Sequence, residues 1–205
     1  MKHEYRKHEK EIYVPKQKPE FIRVPKFKYV TISGKGNPNT EEFANKIGVL
    51  YQLSYAIRMM PRNGYTPEGY FEYTVYPLEG LWDLSEEGRL MDKLDKNELV
   101  YTIMIRQPDF VTDDVFNKAL ENVKKKNDSP LLDEVKFISI EDGSSVQMLH
   151  IGSYDDESKT FDVMKQFIKD NNLELKTLVH KEIYLSDFRK VEKDKLKTVL
   201  RYFVK

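Results

Sequence analysis

Apolar and polar positions along the chain follow one order twice. After a charged opening stretch, "FKYVTISGKG" alternates as a strand from about residue 27 to 33 and ends at Gly34 and Gly36. Asn39 or Thr40 stands where a helix cap belongs. Phe43, Ile47, Leu50, Ser54 and Ile57 then recur at three- and four-residue spacing, and Pro61 follows, so the pattern predicts a helix with one buried face. "YFEYTVYPLEGLWDL" reads as the next strand, with Phe71, Tyr73 and Val75 on one face and Glu72, Thr74 and Tyr76 on the other, turning near Glu79-Gly80. An acidic connector leads to the apolar strand "LVYTIMIRQPD", from about 99 to 106, which completes a β-α-β-β unit.

Residues 112 to 125 predict a helix on the stripe Val115, Phe116, Ala119, Leu120 and Val123, broken by "NDSP". "VKFISIEDGSSVQMLHIGSY" is expected to form a hairpin around Asp142-Gly143. The first order then returns. "VQMLHIGSY" is a strand and "DESKTFDVMKQFIKD" a helix with Phe161, Met164 and Ile168 in register; "LVHKEIYLSD" and "LKTVLRYFV" are two closing strands. The implied organisation is a lead-in at 1–20 and one domain at 21–205. Within that domain the first unit runs over about 21–107, a helical connector over about 108–135, and the second unit over about 136–205. The fold class is α+β: tandem β-α-β-β units with antiparallel sheets and helices on one face.

The segment 178–187 carries the most informative polar residue. Alternation places Val179, Lys181, Ile183 and Leu185 on one face, taken as the core face, and His180, Glu182, Tyr184 and Ser186 on the other. Lining up "EYTVYP" with "KEIYLS" sets Thr74 at the place of Glu182, so the carboxylate is one-sided in the repeat. Among aromatic rings a carboxylate pairs with a cation or has its pKa raised, and then serves as a general base or as a counter-charge for a cationic ligand. The plainer alternative is a solvated Glu182, or one paired across the sheet with Arg201.

Composition narrows the function classes. Lysine plus arginine number 34 and aspartate plus glutamate 34, so no global basic field favours nucleic acid. Residues 1–28 hold nine basic against four acidic side chains and residues 189–205 seven against two, which reads most simply as solvated basic faces. The absence of cysteine excludes disulfides and thiolate chemistry. The opening segment has no apolar core of a signal peptide and no stretch approaches a membrane span, so a cytoplasmic protein without membrane contact is expected. Residues 1–20, charged and interrupted by Pro15 and Pro19, read as loosely attached and too short to carry a helix-turn-helix.

Several further side chains are candidates. Trp82, the sole tryptophan, is either a core anchor or a cleft wall. Tyr76 and Tyr184 fall on the expected ligand face of matched strands, and Tyr51 and Tyr55 reach it from the first helix or simply pack. Glu79 is a second carboxylate near Trp82, unless solvated at its turn. His150 stands alone on its strand, and the four histidines show no metal-ligand spacing, so no metal is expected. "SGKGNPNT" lacks the ending of a phosphate-binding loop. No cofactor is expected.

"YFEYTVYPLEGLWDL", "PLLDEVKFISIEDG" and "HKEIYLSDFRKVEKDKLKTVLRY" resemble stand-alone members of the GyrI-like small-molecule-binding family, related to effector-binding domains of multidrug-responsive regulators. The resemblance spans about residues 20–205. It implies a pseudo-twofold between the units and an aromatic ligand cleft between them that accepts flat, hydrophobic and often cationic compounds, with Glu182 matching a recurrent inner glutamate. Some members resembling this chain hydrolyse the cyclopropane of DNA-alkylating cyclopropanoid natural products, which would make Glu182 the base and Tyr184 its helper. Asp83 in "GLWDL" departs from relatives with a second tryptophan there, which bears on ligand range. The expected functions are therefore a protective hydrolase, a non-catalytic binding protein that sequesters cationic amphiphiles, or a protein that contacts DNA gyrase. Monomer and homodimer are both compatible with the pattern.

Overall fold

The computed structural model describes residues 2–205. In chain order it contains α1 (Tyr5–His8), α2 (Lys10–Tyr13), β1 (Glu20–Lys35), α3 (Glu41–Arg58), β2 (Leu78–Leu84), α4 (Glu86–Arg89) and β3 (Leu99–Gln107). These are followed by α5 (Asp113–Lys124), α6 (Leu131–Glu134), β4 (Lys136–Ile151), α7 (Glu157–Asp170), β5 (Leu175–Tyr184) and β6 (Lys197–Val204). The fold is α+β with antiparallel strand pairing, as the alternating and helical periods require. Contacts divide the chain into two units. The first holds the segment up to Glu4, Phe27–Leu78 and Leu84–Ile140; the second holds Tyr5–Lys26, Glu79–Asp83 and Glu141–Lys205.

In the first unit, β1 pairs with β3 from Lys28 opposite Gln107 to Lys35 opposite Val100. Thr40 caps α3 by accepting from the Phe43 amide at 3.4 Å, and Phe43, Leu50, Ser54 and Ile57 are buried along the predicted stripe together with Val49 and Leu53. The stripe of α5 is likewise buried at Val115, Phe116, Ala119 and Val123, behind a Thr112 cap. The strand expected over "YFEYTVY" is absent. That stretch makes an isolated bridge in which the His3 amide donates to Glu72 O at 2.7 Å and the Thr74 amide donates to His3 O at 2.8 Å. Pro77 has no N–H to offer a ladder, and β2 begins immediately after it.

In the second unit, β6 lies between β4 and β5. Met148 stands opposite Leu200, which stands opposite Glu182, and Val146, Tyr202 and His180 form the next row. Helix α7 packs on this face: Met164 and Ile168 join Val146, Leu200, Tyr202 and Val204 in a core flanked by Met148 and Phe161. Lys181 and Ile183 are fully buried, as expected of a core face, but the Glu182 side is covered as well. Both faces of the strand are buried, and the helix covers the Glu182 side.

Two further expectations change. The hairpin at Asp142-Gly143 does not form, because β4 runs unbroken from Lys136 to Ile151. Gly143 takes a φ of 65° within that strand, which an L side chain tolerates poorly. The stretch 1–20 is also not a loose lead-in. Tyr5 and Tyr13 are buried with rings 5.0 Å apart. The Leu149 amide donates to Lys16 O at 3.0 Å, and the Gln147 side-chain amide to Glu11 O at 2.6 Å. Buried side chains on β4 and β6 need acceptors, and this backbone supplies them.

Candidate functional site

Strand pairing decides which groups surround Glu182. β2 runs antiparallel to β5 with Gly80 opposite Glu182 and Trp82 opposite His180. Direct neighbours share a face, so Trp82, His180, Glu182 and Tyr184 form one group and Glu79, Leu81, Lys181 and Ile183 another. Gly80 is thus the residue across from Glu182. It is glycine for a visible reason: a Cβ there would come within 2.6 Å of the Trp82 indole nitrogen.

With that space left open, the indole N–H of Trp82 donates to the Tyr184 hydroxyl at 2.8 Å, and that hydroxyl donates to Glu182 Oε2 at 2.7 Å. His180 Nε2 lies 3.1 Å from Glu182 Oε1; a carboxylate only accepts, so Nε2 carries the hydrogen. Glu182 is 9% exposed and Trp82 6% exposed. The rings of Tyr154 and Tyr184 meet edge to face at 5.8 Å, and Phe161 meets His180 at 4.7 Å and Tyr202 at 5.0 Å. Burial, then the Glu182 charge, holds the Tyr184 phenol well above its ordinary value, so it stays a donor. Burial pushes the Tyr154 phenol up to about 12, with Glu157 and Glu182 adding to the effect.

A second carboxyl enters from the first turn of α7. Glu157 is 6% exposed, and burial and the Glu182 charge push its carboxyl up to about 10. Sequence reading missed Glu157, because an acidic residue in the first turn of a helix is ordinary and carries no signal. It also passed over Tyr154, Phe161 and Tyr202.

The remaining candidates fall elsewhere. Glu79 lies on the opposite face, 1% exposed, 3.3 Å from Lys181 Nζ and accepting from the Tyr13 hydroxyl at 3.4 Å. Lys181 also meets Asp142 at 2.6 Å. Arg201, entertained as a partner of Glu182, donates to Asp142 at 2.7 Å and to Gln147 Oε1 at 2.7 Å, with Ile12 O at 3.1 Å. Two cations and two carboxylates thus fill a dry layer behind β5. His150 has both ring nitrogens engaged, Nδ1 with Thr160 Oγ1 at 2.8 Å and Nε2 with Ser153 O at 3.0 Å, and fastens α7 to β4. Tyr51, Tyr55 and Tyr76 belong to the first unit. The rings of Tyr51 and Tyr55 lie 6.4 Å apart, with Tyr55 half exposed, and buried Tyr76 takes the Arg106 guanidinium 4.5 Å from its ring.

Open depressions occur in the second unit away from these rings. One of about 560 Å³ is lined by Arg6, Ile151, Leu185, Asp187, Lys195 and Lys197 among others, and one of about 390 Å³ by residues around Gly143. Glu182 lines neither. Among the described residues no group of three or more histidines and acids is placed to hold a metal ion, and no helix is long and apolar enough to cross a membrane.

No curated protein matches the chain. Among solved structures, one described as a hydrolase from Listeria innocua is 36% identical with a TM-score of 0.90, covering 100% of both chains. An uncharacterized conserved protein from Listeria innocua is 38% identical with a TM-score of 0.92, again over 100% of both. The EcmrR C-terminal domain shares the fold at 13% identity and a TM-score of 0.55, over 92% of this chain and 97% of its own. The GyrI-like small molecule binding domain matches residues 17–203, and the chain belongs to that family.

Proposed function

We propose that this small-molecule-binding domain hydrolyses a flat, hydrophobic electrophile carrying a strained ring, of the cyclopropanoid class, with Glu182 as general base. The observation that carries this reading is a carboxylate 9% exposed among aromatic rings, with Oε2 fixed by Tyr184 at 2.7 Å and Oε1 by His180 at 3.1 Å. Two oriented donors leave the remaining lone pairs free to accept from a water. Glu182 takes a proton from that water as its oxygen bonds to the ring CH2 carbon. The strained carbon–carbon bond breaks, its electron pair moves into the conjugated carbonyl, and the resulting phenolate takes a proton from solvent. Release of ring strain leaves the protein only positioning and proton removal to supply, worth about a hundredfold or more for the base alone. The relative from Listeria innocua described as a hydrolase supports the choice of reaction class.

The rings around Glu182 favour a second reading, in which the same carboxylate serves as counter-charge for a lipophilic cation and no bond is broken. Glu182→Gln separates the two, since it preserves shape and removes charge and basicity. Under the hydrolase reading, product formation from a cyclopropanoid falls by about a hundredfold or more while affinity persists. Retained turnover in this variant would rule Glu182 out as the base. No turnover by the parent protein, with binding of a phosphonium cation that the variant loses, would establish the second reading in its place.

A further inference from the structure

Three rows of side chains pave the α7 side of β4, β5 and β6. His180, Tyr202 and Val146 form one, Glu182, Leu200 and Met148 the next, and Tyr184, Thr198 and His150 the third. The two outer members of the third row have their partners. The Tyr184 hydroxyl accepts from Trp82 at 2.8 Å and donates to Glu182 at 2.7 Å, while the ring nitrogens of His150 meet Thr160 Oγ1 at 2.8 Å and Ser153 O at 3.0 Å. Thr198, between them, differs. It is 0% exposed, and its hydroxyl oxygen is buried with no hydrogen-bond partner among the described residues. Burying a hydroxyl that nothing satisfies costs stability, and valine would fill the same volume without that cost. A threonine in this place calls for a small polar guest, and a water fits beneath a helix where a larger molecule does not.

Glu182 lies diagonally across from Thr198, because Leu200 faces Glu182 and Thr198 stands two residues before Leu200 on the same face of β6. Diagonal neighbours on a sheet face stand roughly 7–8 Å apart at the backbone and closer at their side chains. A water bonded to two oxygens spans roughly 5.6 Å. The carboxylate also has lone pairs left after accepting from Tyr184 and His180.

We propose that Thr198 is a positioning residue of this site, its hydroxyl oxygen and the Glu182 carboxylate together holding the water that attacks the substrate. One O–H of that water donates to Glu182 and the other to Thr198 Oγ1, which turns the lone pairs of the water oxygen toward the ring carbon. Glu182 takes the first hydrogen as the oxygen bonds to the ring CH2 carbon. The second hydrogen stays on the oxygen in the product hydroxyl, and the electron pair of the broken carbon–carbon bond moves into the conjugated carbonyl as above. Thr198 removes no proton; it sets the direction from which the water acts. This assignment rests on the reading of Glu182 as a base and names what aims its water.

Two substitutions at the one position separate aiming from packing. Thr198→Ser keeps the hydroxyl and loses a methyl group, whereas Thr198→Val keeps the volume and loses the hydroxyl. In turnover of a cyclopropanoid, Thr198→Ser stays within a few-fold of the parent in kcat. Thr198→Val loses about tenfold or more in kcat, with KM little changed and a Tm at or above that of the parent. If Thr198 only packs, the order reverses, with Thr198→Val matching the parent and Thr198→Ser falling below it, and the proposal is overturned. Equal losses in the two variants, or none in either, overturn it as well. A high-resolution crystal structure supplies a second arm: the parent shows an ordered water within hydrogen-bond distance of both Thr198 Oγ1 and the Glu182 carboxylate, and Thr198→Val lacks it. A parent without that water refutes the bridge whatever the kinetics. A parent without turnover would end the hydrolase reading, and the crystallographic water would then decide this one alone.

Discussion

Tyr184 stands between Trp82 and Glu182 as acceptor and donor at once, taking the indole N–H at 2.8 Å and giving its own hydrogen to Glu182 at 2.7 Å. The relay ties the orientation of the buried carboxylate to the only tryptophan in the chain.

Tyr184→Phe removes both bonds and takes from buried Glu182 the donor at Oε2. The expected cost is about 1–3 kcal/mol, read as a lowered Tm, together with a shifted emission of Trp82. Unchanged melting and unchanged emission would mean that the relay is not formed in solution.

Gly80→Ala tests the gap through which the indole passes. A methyl group there meets the indole nitrogen at 2.6 Å, so the ring must move. We expect a loss of about 1–3 kcal/mol in thermal or denaturant unfolding and faster quenching of Trp82 fluorescence by acrylamide. A variant as stable and as shielded as the parent would refute the close approach.

Behind β5, Lys181 is wholly buried between Glu79 and Asp142. Lys181→Met leaves carboxylates in a dry layer with one cation fewer, and should lower stability by about 3–5 kcal/mol. Burial pushes the Asp142 carboxyl up, but Lys181 and Arg201 outweigh it and hold the group below its ordinary 3.8. A depressed folded value means that this stabilisation is present above pH 3.8 and lost as the pH falls through the folded value. The parent should therefore lose more stability than Asp142→Asn on acidification below that point, as measured by urea unfolding.

Glu157 predicts the opposite slope in another window. Its folded value is raised from 4.5 to about 10, so between those limits the folded chain holds a proton that the unfolded chain has released. Stability then falls as pH rises across that window, and Glu157→Gln should show a shallower decline in Tm from pH 5 to 9. Parallel Tm curves for the two proteins would count against a protonated Glu157.

Features set by local periodicity were legible in the sequence. The stripes of α3, α5 and α7 follow from three- and four-residue spacing, the Thr40 cap from its side chain, and the grouping of His180, Glu182 and Tyr184 from strand alternation. Features set by partners distant in sequence were not. Nothing near Lys181 announces Asp142 and Glu79, and nothing near Glu182 announces Glu157. Nor does anything near Glu182 announce Gly80 across from it, since the strand expected over "YFEYTVY" begins only after Pro77. The helix-bearing face of β5 was misjudged for a related reason: a strand buried on both sides does not reveal by alternation alone which side a helix will cover.

The anchoring of the opening segment sets an order of events during synthesis. Residues 5–16 are made before the strands they bind, and Glu11 O waits for Gln147, 136 residues later, and Ile12 O for Arg201, 189 residues later. Until β6 is released, Tyr5 and Tyr13 have no finished surface to cover, and Lys181, Asp142 and Arg201 have no finished layer to share. The second unit therefore closes only once β6 has been made, and a nascent chain halted before β6 should carry residues 5–16 as protease-sensitive, unfolded peptide.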